Sequence, residues 1–177
     1  TVTEYLNAVL LYSLLQKQEH DFHLRLRPVR IAMPVNLRRF FPSKTLRNFI
    51  TMVYPSIDPR LGDYTFEEIV TQVHHYMRYY INSKFLRGDI TTNASTQRNP
   101  LIRIVPLFLK DFVVRQFYQR VQDKNSSAGL TNMGAIRVPD DMKPYLERFD
   151  IYMGIPYSQR TNCAIASFGD TLTVNFA

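Results

Sequence analysis

The sequence predicts an α+β fold of the α/β sandwich kind, two layers in which helices pack on one face of a mixed sheet. Three observations point there. Helix-period segments carry two capping boxes, at Thr1/Glu4 and Thr65/Glu68. Strand-like runs rich in Val, Ile, Thr and aromatics lie between them and dominate the chain after Ala128. Gly169-Asp170 sits between two such runs as a two-residue hairpin turn. The 177 residues suffice for a single domain with its own core.

Taken in order, Val2–Gln18 reads as a helix, with Leu6, Val9, Leu10, Ser13 and Leu14 at helical spacing and Leu11 and Leu15 widening the apolar face. Glu19–Pro28 is a polar connection. Val29–Asn36 is a strand, and Pro34 near its end removes a ladder donor. Leu37–Leu46 is a loop with one helical turn at Arg38–Phe41. Asn48–Ile57 is a second strand, broken by Pro55 and Pro59, and a turn follows at Leu61–Asp63. Thr65–Phe85 is the longest helix, burying Phe66, Ile69, Val70, Val73, Met77 and Tyr80, with Gly88 after its end. Pro100 and Pro106 divide the helical stretch Asp89–Gln122 into Ile90–Asn99 and Leu107–Gln122. Asp123–Ala128 is a loop. Gly129–Met133, Ile136–Val138, Phe149–Met153, Asn162–Phe168 and Thr171–Phe176 read as strands, with a short helical turn at Asp140–Leu146.

Composition narrows the function. At 45% hydrophobic and 21% charged, this is a globular chain rather than a disordered one. No apolar run approaches the ~20 residues of a membrane span, and no secretory signal pattern is present. A single cysteine, Cys163, permits no internal disulfide and leads to the expectation of a reducing, cytoplasmic setting. The chain opens on a helix without Met, which leads to the expectation of a domain excised at a boundary. The net charge of +7 is concentrated early, at Lys17, Arg25, Arg27, Arg30, Arg38, Arg39, Lys44 and Arg47. A solvated face, a surface for a phosphate-bearing ligand or acidic partner, and nucleic acid are the competing readings. No nucleic-acid motif accompanies the charge, which makes nucleic acid the weakest of them.

The signatures G-x-S-x-G, P-loop and G-x-G-x-x-G are absent. Glu67/Glu68 and Asp140/Asp141 sit where helix first turns favour acids, so dipole complementarity explains them better than acid/base work. His74 and His75 are adjacent on a helix and point about 100° apart, which suits no zinc site. They read as packing or surface residues. His20 and His23 flank Asp21 in a polar segment where catalysis is the less favoured reading. The polar strand ends are the stronger candidates: Asn36, Arg38 and Arg39 after the first strand, Arg47 and Asn48 at the second, and Thr131 and Asn132 in GLTNMG. For Asn36, Asn48 and Asn132 the alternative is satisfaction of loop backbone groups.

The succession PVNLRRFFPSKTLRNF, an amphipathic helix, GLTNMG and NCAIASFGDTLTVNF resembles the C-terminal lobe of the CoA-dependent acyltransferase superfamily. That superfamily has the chloramphenicol acetyltransferase-like fold, and the likeness is to its alcohol acetyltransferase and condensation-domain branch. The resemblance implies two lobes around a tunnel, with a general base in an HHxxxDG motif on the other lobe. No histidine here has Asp four residues on: those positions hold Leu24, Arg27, Arg78 and Tyr79. The resemblance therefore implies that this lobe lacks the catalytic base and is inactive alone. By the same likeness Pro34, Asn36, Arg38, Arg47, Asn48, Thr131 and Asn132 line the tunnel, with Thr131 as an oxyanion contact. It implies no tightly bound cofactor, acyl-CoA or a carrier-protein thioester as co-substrate, and an alcohol or amine acceptor. Its implied partner is the HHxxxDG lobe, and a homodimer of the isolated lobe through its exposed apolar face is a corollary. A non-catalytic scaffold that keeps the fold is the alternative function, and a basic nucleic-acid-binding domain is the third.

Overall fold

In the first helix, α1 (Val2–His20), Leu, Val, Ala and Tyr surround the axis so evenly that the pattern does not fix which side is buried. Packing buries Asn7, Ala8, Leu10, Leu11 and Leu15. The buried stripe is therefore turned from the expected one: Ser13 is exposed and donates to the Val9 carbonyl at 2.9 Å, and Leu6, Val9 and Leu14 are half-buried. The computed structural model describes residues 1–20, 25–98, 106–112, 115–116, 126–154 and 161–177.

The first strand, β1 (Val29–Asn36), has the expected bounds. The segment read as one strand over Asn48–Ile57 is instead two, β2 (Ile50–Val53) and β3 (Ser56–Ile57), both antiparallel to β1. Pro55 has no N–H to give the ladder, although its carbonyl still accepts from Ile31 N at 3.0 Å. The neighbouring Tyr54 N–H donates to the Tyr76 hydroxyl at 3.0 Å.

The helix expected over Thr65–Phe85 is α2 (Phe66–Tyr80), followed by a separate α3 (Ser83–Arg98). The Thr65/Glu68 capping box forms as read. What the periodicity missed is Asn82. Its side-chain oxygen accepts from Lys84 N at 3.0 Å and Phe85 N at 2.9 Å, the N-cap arrangement that starts a new helix. Gly88 thus lies inside α3, and the helix read at Ile90–Asn99 is its second half. Residues 107–112 are helical; the rest of the helix read over Leu107–Gln122, residues 115–116 apart, and most of the Asp123–Ala128 loop lie outside the described residues, as does His23.

The strands β4 (Ala128–Ala135), β5 (Asn162–Phe168) and β6 (Thr171–Phe176) complete a mixed six-stranded sheet of order β2-β1-β4-β5-β6, with β3 beside β1. The β1–β4 and β4–β5 pairs are parallel and the β5–β6 pair is antiparallel. Ile136–Val138 and Phe149–Met153, read as strands, join no ladder. Ile136 N–H donates to the Ser167 carbonyl past a β-bulge at which Gly134 takes φ +72. Segment 149–154 instead crosses the sheet: Phe149 stacks edge-on with Phe168 at 5.2 Å, its carbonyl accepts from Thr173 Oγ1 at 2.6 Å, and the Gly154 carbonyl accepts from Asn162 Nδ2 at 3.0 Å. The turn read at Asp140–Leu146 is a 3-10 turn at Lys143–Tyr145. Gly169 takes φ +56 and Asp170 does not take positive φ, as in a type II′ hairpin.

Strand alternation assigns the two faces. Val29, Ile31, Met33 and Val35 of β1, Ala128 and Leu130 of β4, and Cys163 and Ile165 of β5 form one core with Leu11 of α1 and Ile69, Val73 and Met77 of α2. Helix α3 joins the same side, where the Asp89 carboxylate accepts from the Thr51 hydroxyl. The fold is therefore the expected α+β sandwich, with α1 to α3 on one face of the sheet.

Candidate functional site

Among the described residues, the sheet face turned away from the helices is closed over β5 and β6 by segment 149–154 and open over β2, β1 and β4. Pairing sets Pro34 against Met52 and Asn36 against Ile50. The β1–β4 register, Ala32 against Gly129, brings Thr131 beside Pro34 two residues on. Ile50 and Met52 are 45% and 40% exposed, and Met133 at the bulge is 63% exposed. Pro34 and Thr131 are half-buried among them. Thr131 makes no side-chain hydrogen bond among the described residues, so its hydroxyl is available beside the apolar side chains of Pro34, Met52 and Met133.

The other expected site residues divide into two groups. Asn36 and Arg38 are spent on the loop that follows β1. Asn36 Oδ1 accepts from Arg38 N at 3.0 Å and caps the 3-10 turn Leu37–Arg39. The Arg38 guanidinium donates to the Thr45 carbonyl at 2.8 Å and the Arg47 carbonyl at 2.7 Å, and Leu37 N donates to the Phe49 carbonyl at 3.0 Å. These bonds close residues 37–49 on themselves. Asn132 lies on the helix side: its Nδ2 donates to Thr3 Oγ1 at 2.9 Å, and its Oδ1 accepts from Gly134 N at 2.8 Å. It fastens the start of α1 to the bulge. For Asn36 and Asn132, satisfaction of backbone groups is thus the observed role. The side chains of Arg47 and Asn48 are exposed and take no partner among the described residues.

A concavity lies elsewhere, on the helix layer. An open groove of about 690 Å3 runs along the outer side of α2, lined by residues that include Glu68, His75, Tyr76, Tyr79 and Tyr80. Burial raises the Tyr76 phenol above its ordinary value. Sequence reading also missed a pair across α1 and α2: His74 Nδ1 lies 3.3 Å from Glu4 Oε2. Only the distance of 70 residues hid it, and no local signal could have revealed it. This pair is on the helix side, across the sheet from Thr131. Cys163 is buried in the core, and burial pushes its thiol up, so it is no nucleophile. Among the described residues no cluster of His, Cys, Asp or Glu could hold a metal, and no helix is long and apolar enough to cross a membrane. No family model matches the chain, and no curated protein matches it.

Proposed function

We propose that this chain is one lobe of an acyl-CoA-dependent acyltransferase, supplying one wall of the tunnel in which an alcohol or amine attacks an acyl thioester. The observation that carries the reading is the open face over β2, β1 and β4, where Pro34, Ile50, Met52 and Thr131 present apolar surface around one available hydroxyl. Such a face suits an acyl chain or the facing lobe. In this mechanism the base of the HHxxxDG lobe takes the acceptor proton as the acceptor adds to the thioester carbonyl. Thr131 donates to the resulting oxyanion, and collapse expels the CoA thiolate, which recovers the proton from the imidazolium. Arg38 and Asn36 brace the wall and do not touch substrate. Arg47, with Arg39 and Lys44 nearby in sequence, is free to meet CoA phosphates.

Two assays with acetyl-CoA and an alcohol test this. The 177 residues alone are expected to be inactive, and robust transfer by them would place the base inside this chain. In a polypeptide that joins this chain to an HHxxxDG lobe, Thr131→Ala is expected to lower kcat by about 10²–10³, as loss of one oxyanion donor does. An unchanged kcat removes the assignment. The scaffold reading is favoured by one observation, that Asn36, Arg38 and Asn132 spend their polar groups internally. An upstream HHxxxDG that is degraded, with no acyl transfer by the joined protein, would decide for it.

A further inference from the structure

Among the described residues the outer edge of β6 is an open strand edge, and its pattern is its own complement. In an antiparallel pair, opposed residues alternate between those that exchange both backbone hydrogen bonds and those that exchange none. Asn162 and Ala177 exchange both, at 2.9 and 3.0 Å. Counting along the ladder, Asn175, Thr173 and Thr171 therefore direct their backbone groups at β5, opposite Ala164, Ala166 and Phe168. The N–H and C=O groups of Leu172, Val174 and Phe176 point outward from the sheet, and among the described residues nothing pairs with them.

The same three residues share one face of the sheet, the face on which α1 and α2 pack over the neighbouring strands. There Leu172 is 51%, Val174 38% and Phe176 59% exposed. Natural edge strands are protected by charge, proline, a bulge or a covering segment. Among its six residues β6 (TLTVNF) has no charge and no proline, and its ladder with β5 is continuous over its whole length.

We infer that β6 pairs antiparallel with β6 of a second copy of this chain, about a two-fold axis through Val174, to make one sheet continuous across two molecules. That register sets Val174 against Val174 of the other copy and Leu172 against its Phe176, in both directions. All three outward residues then become hydrogen-bonded pairs, so every outward N–H and C=O of the edge is satisfied. The two-fold operation leaves each sheet's helix-bearing face on the same side, so the two Leu172, Val174 and Phe176 stripes merge into one apolar surface. On the other face Thr173 meets Asn175, a polar pair. A second copy is favoured over an unrelated strand because a single register satisfies hydrogen bonding, side-chain size and face at once, as an isologous interface requires. The pairing is independent of any acyltransferase role.

Sedimentation equilibrium of the 177-residue chain across a concentration series tests it, together with cysteine pairing. A monomer–dimer equilibrium is expected, shifted strongly to monomer by Val174→Pro, which deletes an outward donor and leaves the β5 ladder intact. Hydrogen-bonded pairs hold Cα atoms about 5.5 Å apart, within disulfide reach. Under mild oxidation Val174→Cys should therefore link to its own copy. Leu172→Cys alone should not, because its copies lie four residues out of register, about 13 Å apart. A mixture of Leu172→Cys and Phe176→Cys chains should link. A chain that stays monomeric throughout, a dimer that survives Val174→Pro, or Leu172→Cys linking as fast as Val174→Cys would each overturn the pairing. If Val174→Pro lowers the helical circular dichroism, the cysteine register decides alone.

Discussion

Replacing Arg38 with Ala separates a bracing role from a ligand-contacting one. The guanidinium donates to the carbonyls of Thr45 and Arg47 at 2.8 and 2.7 Å, and it holds residues 37–49 against the end of β1. A net hydrogen bond contributes about 0.5–1.5 kcal/mol. Arg38 is exposed, which pushes each bond toward the lower half of that range. Arg38→Ala should therefore lower the free energy of opening the loop by about 1–2 kcal/mol, with little change in global stability, because the loop opens as a local unit. At 1.4 kcal/mol per factor of ten, backbone amides held in this loop should exchange about five to thirty times faster. Native-state hydrogen exchange reads this at Leu37, Phe41 and Arg47, whose N–H groups donate to Phe49 O, Leu37 O and Thr45 Oγ1. Arg47→Ala is the control: it removes a side chain with no partner and leaves the accepting carbonyl, so exchange should not change. Equal exchange in Arg38→Ala and the wild type would refute the clamp and return Arg38 to the candidates for substrate contact.

Three other outcomes are expected. Leu130, 1% exposed between β1 and β5, should cost about 2–5 kcal/mol as Leu130→Ala in urea unfolding; a loss under 1 kcal/mol would mean the core is not centred there. The Thr65 backbone N–H, and then its hydroxyl, hold the Glu68 carboxyl below its usual range. A depressed carboxyl stabilises above its unfolded pKa, and that contribution is lost as pH falls through the lower folded value. Glu68→Gln should therefore lose less thermal stability than the wild type between pH 5 and pH 3; an equal loss would show the capping box is not formed in solution. Native Cys163, whose thiol is raised by burial, should react with a disulfide reagent far more slowly than the urea-unfolded chain; similar rates would place the β4–β5 core in exchange with open forms.

Much of the fold was legible because the signals were local. The bounds of β1, β5 and β6 follow from β-branched runs closed by Asn36-Leu37 on one side and Gly169-Asp170 on the other. The start of α2 follows from Thr65 and Glu68, whose bonds span three residues. The end of α2 was missed because an apolar, Tyr-rich pattern runs on through Ile81 and Phe85 into α3. The restart hangs on a single N-cap, Asn82, in a stretch where no Gly or Pro marks a stop. Phe149–Met153 has a strand's composition but lies across β5 and β6, so Phe149, Ile151 and Met153 are half-buried by a crossing rather than by pairing.

By itself the sequence determined the fold class, the hairpin, the capping box and the absence of a hydrolase, P-loop or dinucleotide signature, because each is written in residues within a few positions of one another. Only the tertiary structure decided which polar side chains remain available. It spent Arg38 on two carbonyls and Asn132 on Thr3, 129 residues away, and left Thr131 open between Pro34 and the bulge. Neighbouring residues on a strand face opposite sides of the sheet. The difference between Thr131 and Asn132 is therefore set by which face the helices cover, and that is a property of the packed layers rather than of either residue.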